Sequence, residues 1–165
     1  MEVLPVTDLT SLFTDLVRTE TLLWNRVDAR VRAEHDMALG QLEFLRIIDG
    51  RPACRVFDIA QEVGITVGAT SKGVDRLVAR GWCERRANPD DRRSSLLSLT
   101  PAGSQALAAA VPTFEAAWAE QVAALPQPML AQLAAGLHTW RRHLESGMAQ
   151  PTEAELDHGN GPGAA

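Results

Sequence analysis

Apolar residues recur every three or four positions along most of this chain, a spacing that places them on one face of an α-helix. The pattern predicts six helices, of which the first and the last two are long. The predicted helices span residues 8–34, a second run that ends at Gly50, residues 57–63, residues 67–80, residues 100–125 and a last run that ends before Gly147. Thr7, Thr66 and Thr100 are the predicted N-caps of the first, fourth and fifth helices, because a threonine hydroxyl accepts a hydrogen bond from the first turn.

The pattern changes between the fourth and fifth helices. Residues 82–86 and 95–99 are short strand-like runs, and the turn-forming sequence Asn88-Pro89-Asp90-Asp91 separates them. Three short helices followed by such a hairpin describe a winged helix-turn-helix. The predicted fold is therefore mainly α, with a small β-hairpin wing and long helices at both ends.

The long end helices carry more apolar surface than the small central module can cover, which predicts a homodimer. The chain then divides into residues 1–50, which contribute to dimerisation and a pocket, the winged helix-turn-helix at 51–100, and C-terminal dimerisation helices at 101–149. Residues 150–165 contain almost no large apolar side chain, and we expect them to form a disordered tail.

The net charge of −5 argues against a nucleic-acid partner, but the distribution of charge changes that interpretation. Nine basic and six acidic residues lie between Arg51 and Gly103, whereas the rest of the chain has seven basic and fifteen acidic residues. The predicted winged helix-turn-helix is thus a basic island.

Other classes of protein find little support in the sequence. No apolar run is long enough to span a membrane, and the N-terminus lacks the pattern of a secretory signal, so we expect a cytoplasmic protein with no membrane partner. The sequence contains no glycine-rich phosphate loop, nucleophile elbow or metal-binding helix motif. We therefore expect no enzyme activity, no cofactor and no metal site.

Residues 81–103 resemble a sequence motif of a known protein family. The sequence from Gly81 to Arg93, GWCERRANPDDRR, followed by Leu99-Thr100-Pro101-Ala102-Gly103, resembles the wing signature of the multiple-antibiotic-resistance regulator (MarR) family. The order of helices over residues 8–147 is similar as well. The resemblance implies a dimeric transcription regulator that binds a pseudo-palindromic double-stranded DNA operator, typically a repressor that a small ligand releases.

The helix at 67–80 is the predicted recognition helix, since its outer N-terminal face is small or basic. In the wing, the family pattern has an acidic residue that holds a minor-groove arginine in place. The candidate DNA-contacting residues are Thr66, Gly68, Ala69, Ser71, Lys72, Arg76, Asp91, Arg92 and Arg93. The alternative is that these are solvated surface positions and a simple turn. Asp75 and Asp90 would repel phosphate, so we expect them to face arginines such as Arg80 or Arg92.

The resemblance also places an effector cavity where the long helices meet the DNA-binding region, and implies a small aromatic or phenolic acid as ligand. The candidate lining residues are Arg18, Trp24, His35 and Phe44, with Arg18 as a carboxylate anchor. The alternative is that Arg18 is a surface arginine and Trp24 an ordinary core residue.

Three other possibilities stay open at this point: a thiol-responsive regulator, a metal-responsive regulator, and a winged-helix interaction module that does not bind DNA. Cys54 and Cys83 are expected to be buried apolar side chains. His138 and His143 are five residues apart, whereas ligands on one helix face prefer three or four. Gly73, within the recognition helix, is expected to pack tightly against the third helix.

Overall fold

The structure is a computed structural model that describes residues 8–91 and 93–148. The expectations for Arg92 and the tail at 150–165 therefore lie outside the described residues. The chain divides into two compact units, with the boundary between Gln121 and Val122.

Within the described ranges the chain forms six helices and one two-stranded sheet. In chain order the elements are α1 (Leu9–His35), α2 (Leu39–Gly50), α3 (Val56–Val63), α4 (Val67–Ala79), β1 (Cys83–Ala87), β2 (Ser95–Leu99), α5 (Pro101–Val122) and α6 (Gln127–Met148). The strands are antiparallel, and the register runs from Cys83 opposite Leu99 to Ala87 opposite Ser95. The predicted fold class, a mainly helical chain with a hairpin wing, is confirmed.

Several predicted helix ends differ from the structure by one to three residues, and α6 runs through Gly147 to Met148 although its predicted end lies before Gly147. The N-cap of α1 is Asp8, whose carboxylate accepts hydrogen bonds from the N–H groups of Thr10 and Ser11, so the prediction of Thr7 is wrong. Threonine and aspartate are both common N-caps, so the sequence alone did not show which of the two adjacent residues caps the helix. Helix α5 ends at Val122, three residues before the predicted end, because residues 123–125 form a turn.

The core of the first unit is built from one face each of several elements. Only the second half of α1 contributes, through Val27 and Val31, while Leu9 and Phe13 in its first half are exposed. Met37 and Cys54 contribute from the segments on either side of α2, and the remaining buried apolar side chains come from α2–α5 and the wing. The latter include Leu42, Leu45, Ile48, Ile59, Val74, Leu77, Leu97, Leu107 and Ala110. No described helix is long and apolar enough to cross a membrane.

Two glycines allow close packing around α4. A Cβ on Gly73 would overlap the ring of Phe44 in α2, so the expected close contact exists but with α2 and not with the third helix. A Cβ on Gly103, near the start of α5, would overlap the backbone carbonyl of Trp82. Larger residues at these positions would push α4 away from α2, or α5 away from β1.

Candidate nucleic-acid interface

Helix α4 is fixed in place by its cap and its inner face. The side chain of Thr66 accepts a hydrogen bond from Ala69 N at 3.2 Å, which confirms that Thr66 is the N-cap. Thr70, Val74 and Leu77 are fully buried. The hydroxyl of Thr70 donates to Thr66 O at 3.0 Å, so no buried polar atom is left without a partner there.

The helical repeat then places a basic face outward. Gly68, Ala69, Lys72 and Arg76 are all exposed, and the space beside the Gly68 backbone is open. Ser71 is partly buried, with its hydroxyl 3.5 Å from the Arg85 guanidinium. Five of the six residues proposed on this helix and its cap, counting Thr66, therefore lie on accessible surface.

The wing tip is held by side chains that bond to its own backbone. Asn88 is buried, accepts a hydrogen bond from Asp90 N and donates one to Ser94 Oγ at 2.9 Å. The carboxylate of Asp91 accepts from the backbone N–H of Arg93 at 2.9 Å. Asp91 therefore contacts Arg93 through the Arg93 backbone, next to the side chain proposed for the minor groove. The buried role of Asn88 was not predicted beyond its turn-forming character.

Acidic partners divide the basic island into two groups. Five arginines each lie within 4 Å of a carboxylate: Arg51 and Arg55 with Asp58, Arg80 with Asp36, Arg85 with Asp75, and Arg86 with Glu84. Lys72, Arg76 and Arg93 form no ion pair with any residue that the structure describes. The basic residues of the described island that have no ion-pair partner thus lie on the outer face of α4 and on the wing.

Asp75 faces an arginine, as predicted, but this arginine is Arg85 and not one of the two named as examples. Asp75 Oδ1 lies 2.8 Å from the Arg85 guanidinium on β1, not beside Arg80. Arg85 is opposite Leu97 in the sheet register, so both side chains project from the face that packs toward α4. The hairpin register, once known, is the signal that identifies this pair.

A buried carboxylate at the start of α3 was missed by the sequence analysis. Asp58 is almost fully buried and accepts hydrogen bonds from the Arg55 backbone N–H at 2.8 Å and from the Arg55 guanidinium at 3.2 Å. The hydrogen bonds from Arg55 lower the pKa of Asp58 despite its burial. Asp58 therefore joins the loop before α3 to the helix-turn-helix.

The four residues proposed for an effector pocket have different environments. Arg18 and Trp24 are exposed, Phe44 is buried against Gly73, and His35 is partly buried. Arg18 and His35 are 17 residues apart on α1, which corresponds to about 25 Å along the helix. The structure does not bring these two side chains together within one chain.

The cysteines lie in apolar surroundings. Burial raises the pKa of the Cys54 thiol to about 11 and also raises the pKa of Cys83. Both are therefore protonated near neutral pH, and the thiolate is the reactive form of cysteine. Among the described residues there is no group of three or more His, Cys, Asp or Glu side chains that could hold a metal ion.

The fold and its exposed basic helix define a winged helix-turn-helix protein. The model of the MarR family matches residues 37–95, which include α2–α4, β1 and the turn of the wing up to the first residue of β2. Over 69 residues the chain is 32% identical to the multiple antibiotic resistance protein MarR of Escherichia coli strain K12, covering 42% of this chain and 48% of that protein. The matched segments span less than half the length of the curated relatives.

Solved structures match over a larger part of the chain. The transcriptional repressor CouR, bound to a 23-mer DNA duplex, has a TM-score of 0.73 and 25% identity, covering 85% of this chain and 99% of that one. CouR from Rhodococcus jostii RHA1 bound to p-coumaroyl-CoA has a TM-score of 0.69 and 19% identity, with 79% and 91% coverage. Sco3205 of Streptomyces coelicolor, a MarR-family regulator in complex with DNA, has a TM-score of 0.76 and 23% identity, with 91% and 96% coverage. The segment that the MarR family model matches, residues 37–95, is thus the winged helix-turn-helix part of the fold.

Proposed function

We propose that this protein is a transcription regulator that binds double-stranded DNA as a homodimer and is released by a small aromatic acid. DNA binding is supported mainly by one observation: some basic side chains of the island pair with a carboxylate, and others have no such partner among the described residues. Lys72, Arg76 and Arg93 are without carboxylate partners among the described residues, and they occupy the two elements that a winged helix presents to DNA. CouR and Sco3205, which have the same fold, are in complex with DNA.

The unpaired cations fit two different contacts. Lys72 and Arg76 lie on the outer face of α4, where a recognition helix in the major groove meets base edges and phosphates. Arg93 lies in the wing, where an inserted arginine senses the width of the minor groove. Asp75 pairs with Arg85, and Asp91 accepts a hydrogen bond from a backbone N–H. Both carboxylates should therefore repel phosphate less than unpaired carboxylates would.

DNA binding is tested by anisotropy titrations of a labelled random-sequence duplex at several salt concentrations. We expect Lys72→Ala and Arg93→Ala each to weaken binding, and any lost phosphate contact to flatten the salt slope by about one unit. Arg86→Ala is the matched control, since it removes a wing arginine that Glu84 already neutralises. A wild-type protein with no salt-dependent binding would instead be an interaction module.

The dimer is supported by apolar side chains that the chain leaves uncovered. Leu9, Leu12, Phe13 and Val17 are exposed in the first half of α1. Helix α6 exposes Leu133, Leu137, Trp140 and Leu144 at helical spacing. A second copy would bury such faces. Sedimentation should give about twice 17.9 kDa, and a monodisperse monomer at micromolar concentration would contradict the dimer.

The aromatic character of the proposed effector is supported by CouR, which has been solved in complex with the aromatic thioester p-coumaroyl-CoA. Arg18 is the proposed carboxylate anchor, because an exposed guanidinium can bind a carboxylate with two parallel hydrogen bonds. Calorimetry with aromatic acids should show binding to the wild type. In DNA-release assays, Arg18→Ala should lose the response to the acid and keep its DNA affinity without ligand. A response equal to that of the wild type would exclude the Arg18 anchor.

A further inference from the structure

Arg80 joins the end of α4 to the corner between α1 and α2. One terminal nitrogen of its guanidinium donates to the backbone carbonyl of Asp36 at 2.5 Å, and the other lies 3.0 Å from Asp36 Oδ2. The guanidinium carbon is also 3.9 Å from the centre of the Trp82 ring, just before β1. A single side chain therefore contacts two segments that flank the recognition helix in space.

The corner that Arg80 contacts is itself attached to α5. Asp36 ends α1 in a left-handed conformation with φ 50, and the preceding residue, His35, has Nε2 at 2.8 Å from Thr113 Oγ1 on α5. The Thr113 hydroxyl donates its hydrogen to Glu34, so Nε2 of His35 must carry a hydrogen and donate it to Thr113. The corner is thus held to α5 by a directional hydrogen bond.

The start of α5 is attached to the other side of the same region. Thr100 N donates to Trp82 O at 3.1 Å, and the Thr100 hydroxyl donates to Gly81 O at 2.6 Å. Gly103 lies directly against the Trp82 carbonyl. We call this closed set of contacts the Arg80 junction, and its members are His35, Asp36, Arg80, Trp82, Thr100, Gly103 and Thr113.

The Arg80 junction lies at the C-terminal end of α4, so a rotation of the helix there moves its N-terminal end the furthest. The helix has 13 residues and is about 20 Å long. A tilt of about 10° around its C-terminal end would move its first turn by about 3.4 Å, which is the rise of one base pair. A tilt of this size at the end of α4 where Arg80 lies would therefore move the first turn by a distance equal to one base-pair step.

We propose that Arg80 is a positioning residue that fixes the tilt of α4 against α1 and α5, and thereby sets the half-site spacing that the dimer accepts. This inference rests on the proposed function as a dimeric DNA-binding protein. Arg80 does so without contacting DNA, because Asp36 and Trp82 already occupy its guanidinium. Its loss should therefore change spacing preference more than overall attraction to DNA.

The experiment uses the full chain and a duplex selected by the wild-type protein from a random-sequence library. Affinity is measured for this duplex and for two others, in which one base pair is inserted or deleted between the half-sites. The test variant is Arg80→Met, which keeps side-chain length and contact with Trp82 but removes every N–H donor. The matched control is Arg86→Met, which removes an arginine from the neighbouring wing without touching the Arg80 junction.

We expect the wild type and Arg86→Met to bind the selected spacing about tenfold more tightly than either altered spacing, a typical cost for a mismatched site. For Arg80→Met that preference should fall to about threefold or less. The salt slope on random duplex should stay the same, because no phosphate contact is lost. A merely structural role would weaken all three duplexes equally and leave the preference unchanged.

Two further variants separate the contacts within the junction. Asp36→Gly suits the left-handed backbone and keeps the carbonyl that Arg80 binds, so it should retain most of the spacing preference. Arg80→Lys keeps the charge and a donor for that carbonyl but loses the planar stack on Trp82, so it should give an intermediate preference. Circular dichroism reports whether each variant is folded. If Arg80→Met does not fold, Arg80→Lys replaces it as the test variant.

The outcomes that overturn the inference differ from those that overturn the proposed function. An Arg80→Met protein, or Arg80→Lys in its place, with the wild-type spacing preference refutes the positioning role. An equal loss in Arg86→Met also refutes it, since charge alone would then explain the change. Failure of the wild type to bind any duplex, or to sediment as a dimer, refutes the proposed function and this inference with it.

Discussion

Helices α4 and α6 both carry apolar residues at helical spacing, but those on the inner face of α4 are buried and those of α6 are mostly exposed. In α4, Val74 and Leu77 are fully buried within their own unit, and the outer face carries Lys72 and Arg76. In the described part of α6 no side chain is buried, and its apolar positions are about half exposed. Helix α4 therefore exposes charged side chains, whereas α6 exposes apolar ones. The two surfaces are therefore suited to partners of different chemistry.

The largest effect should come from a matched pair of leucine truncations. Leu77→Ala leaves a cavity in a fully buried site and should lower the free energy of unfolding by about 2–5 kcal/mol. Leu137→Ala removes an exposed side chain and should leave the unfolding of the winged-helix region unchanged while weakening self-association. Urea titrations and sedimentation measure the two effects. Equal losses of stability would show that α6 is as fully packed as α4.

Acid should affect the region around α3 and α4 through Asp58. Its pKa is lowered by the hydrogen bonds from Arg55, so its stabilising contribution is present above the unfolded pKa near 3.9 and is lost as pH falls through the folded pKa. Asp58→Asn should cost on the order of 1–3 kcal/mol at pH 7 and flatten the loss of stability below pH 4. Asp49→Asn, at an exposed aspartate, is the control. An unchanged acid profile in Asp58→Asn would contradict this assignment.

The inner and outer faces of α4 can be compared with two glycine substitutions. Gly73→Ala should destabilise by about 1–3 kcal/mol, because the added methyl overlaps the Phe44 ring. Gly68→Ala meets open space and should stabilise the protein by up to about 1 kcal/mol through helix propensity. Thermal unfolding of both variants gives the comparison, and a gain in both would show that Phe44 can move aside.

The smallest expected effect concerns the thiols. Because burial raises the pKa of Cys54 to about 11, iodoacetamide near neutral pH should label neither cysteine in the folded protein. Denaturation in urea should expose both to the reagent. Rapid labelling of the native protein, with a change in DNA affinity, would instead support a thiol-responsive regulator.

Local patterns were enough to predict the elements, because a 3.6-residue repeat and turn-forming residues are recorded in consecutive positions. All six helices, the hairpin and the Thr66 cap follow from such signals. The same signals could not decide between Thr7 and Asp8 as the cap, since the two are adjacent and chemically similar.

The parts that were predicted wrongly, or missed, depend on contacts between distant positions. Arg80 meets Asp36 across 44 residues, and Gly73 packs against Phe44 on a different helix from the one expected. The pairing of Asp75 with Arg85 needs the hairpin register and the position of the wing against α4. Side-chain partners of this kind are set by tertiary packing, which single-sequence periodicity does not encode.

The hairpin also has a consequence for behaviour at high concentration. Leu97 N donates to Cys54 O at 2.7 Å, so a neighbouring segment of the same chain covers one edge of β2. The opposite edge belongs to β1, which is only five residues long and carries Glu84, Arg85 and Arg86 in sequence. Short, charged edges are poor templates for a strand from another molecule. Both edges of the hairpin are therefore poor sites for adding a strand from another molecule, so we expect the wings not to join into an intermolecular sheet at high protein concentration.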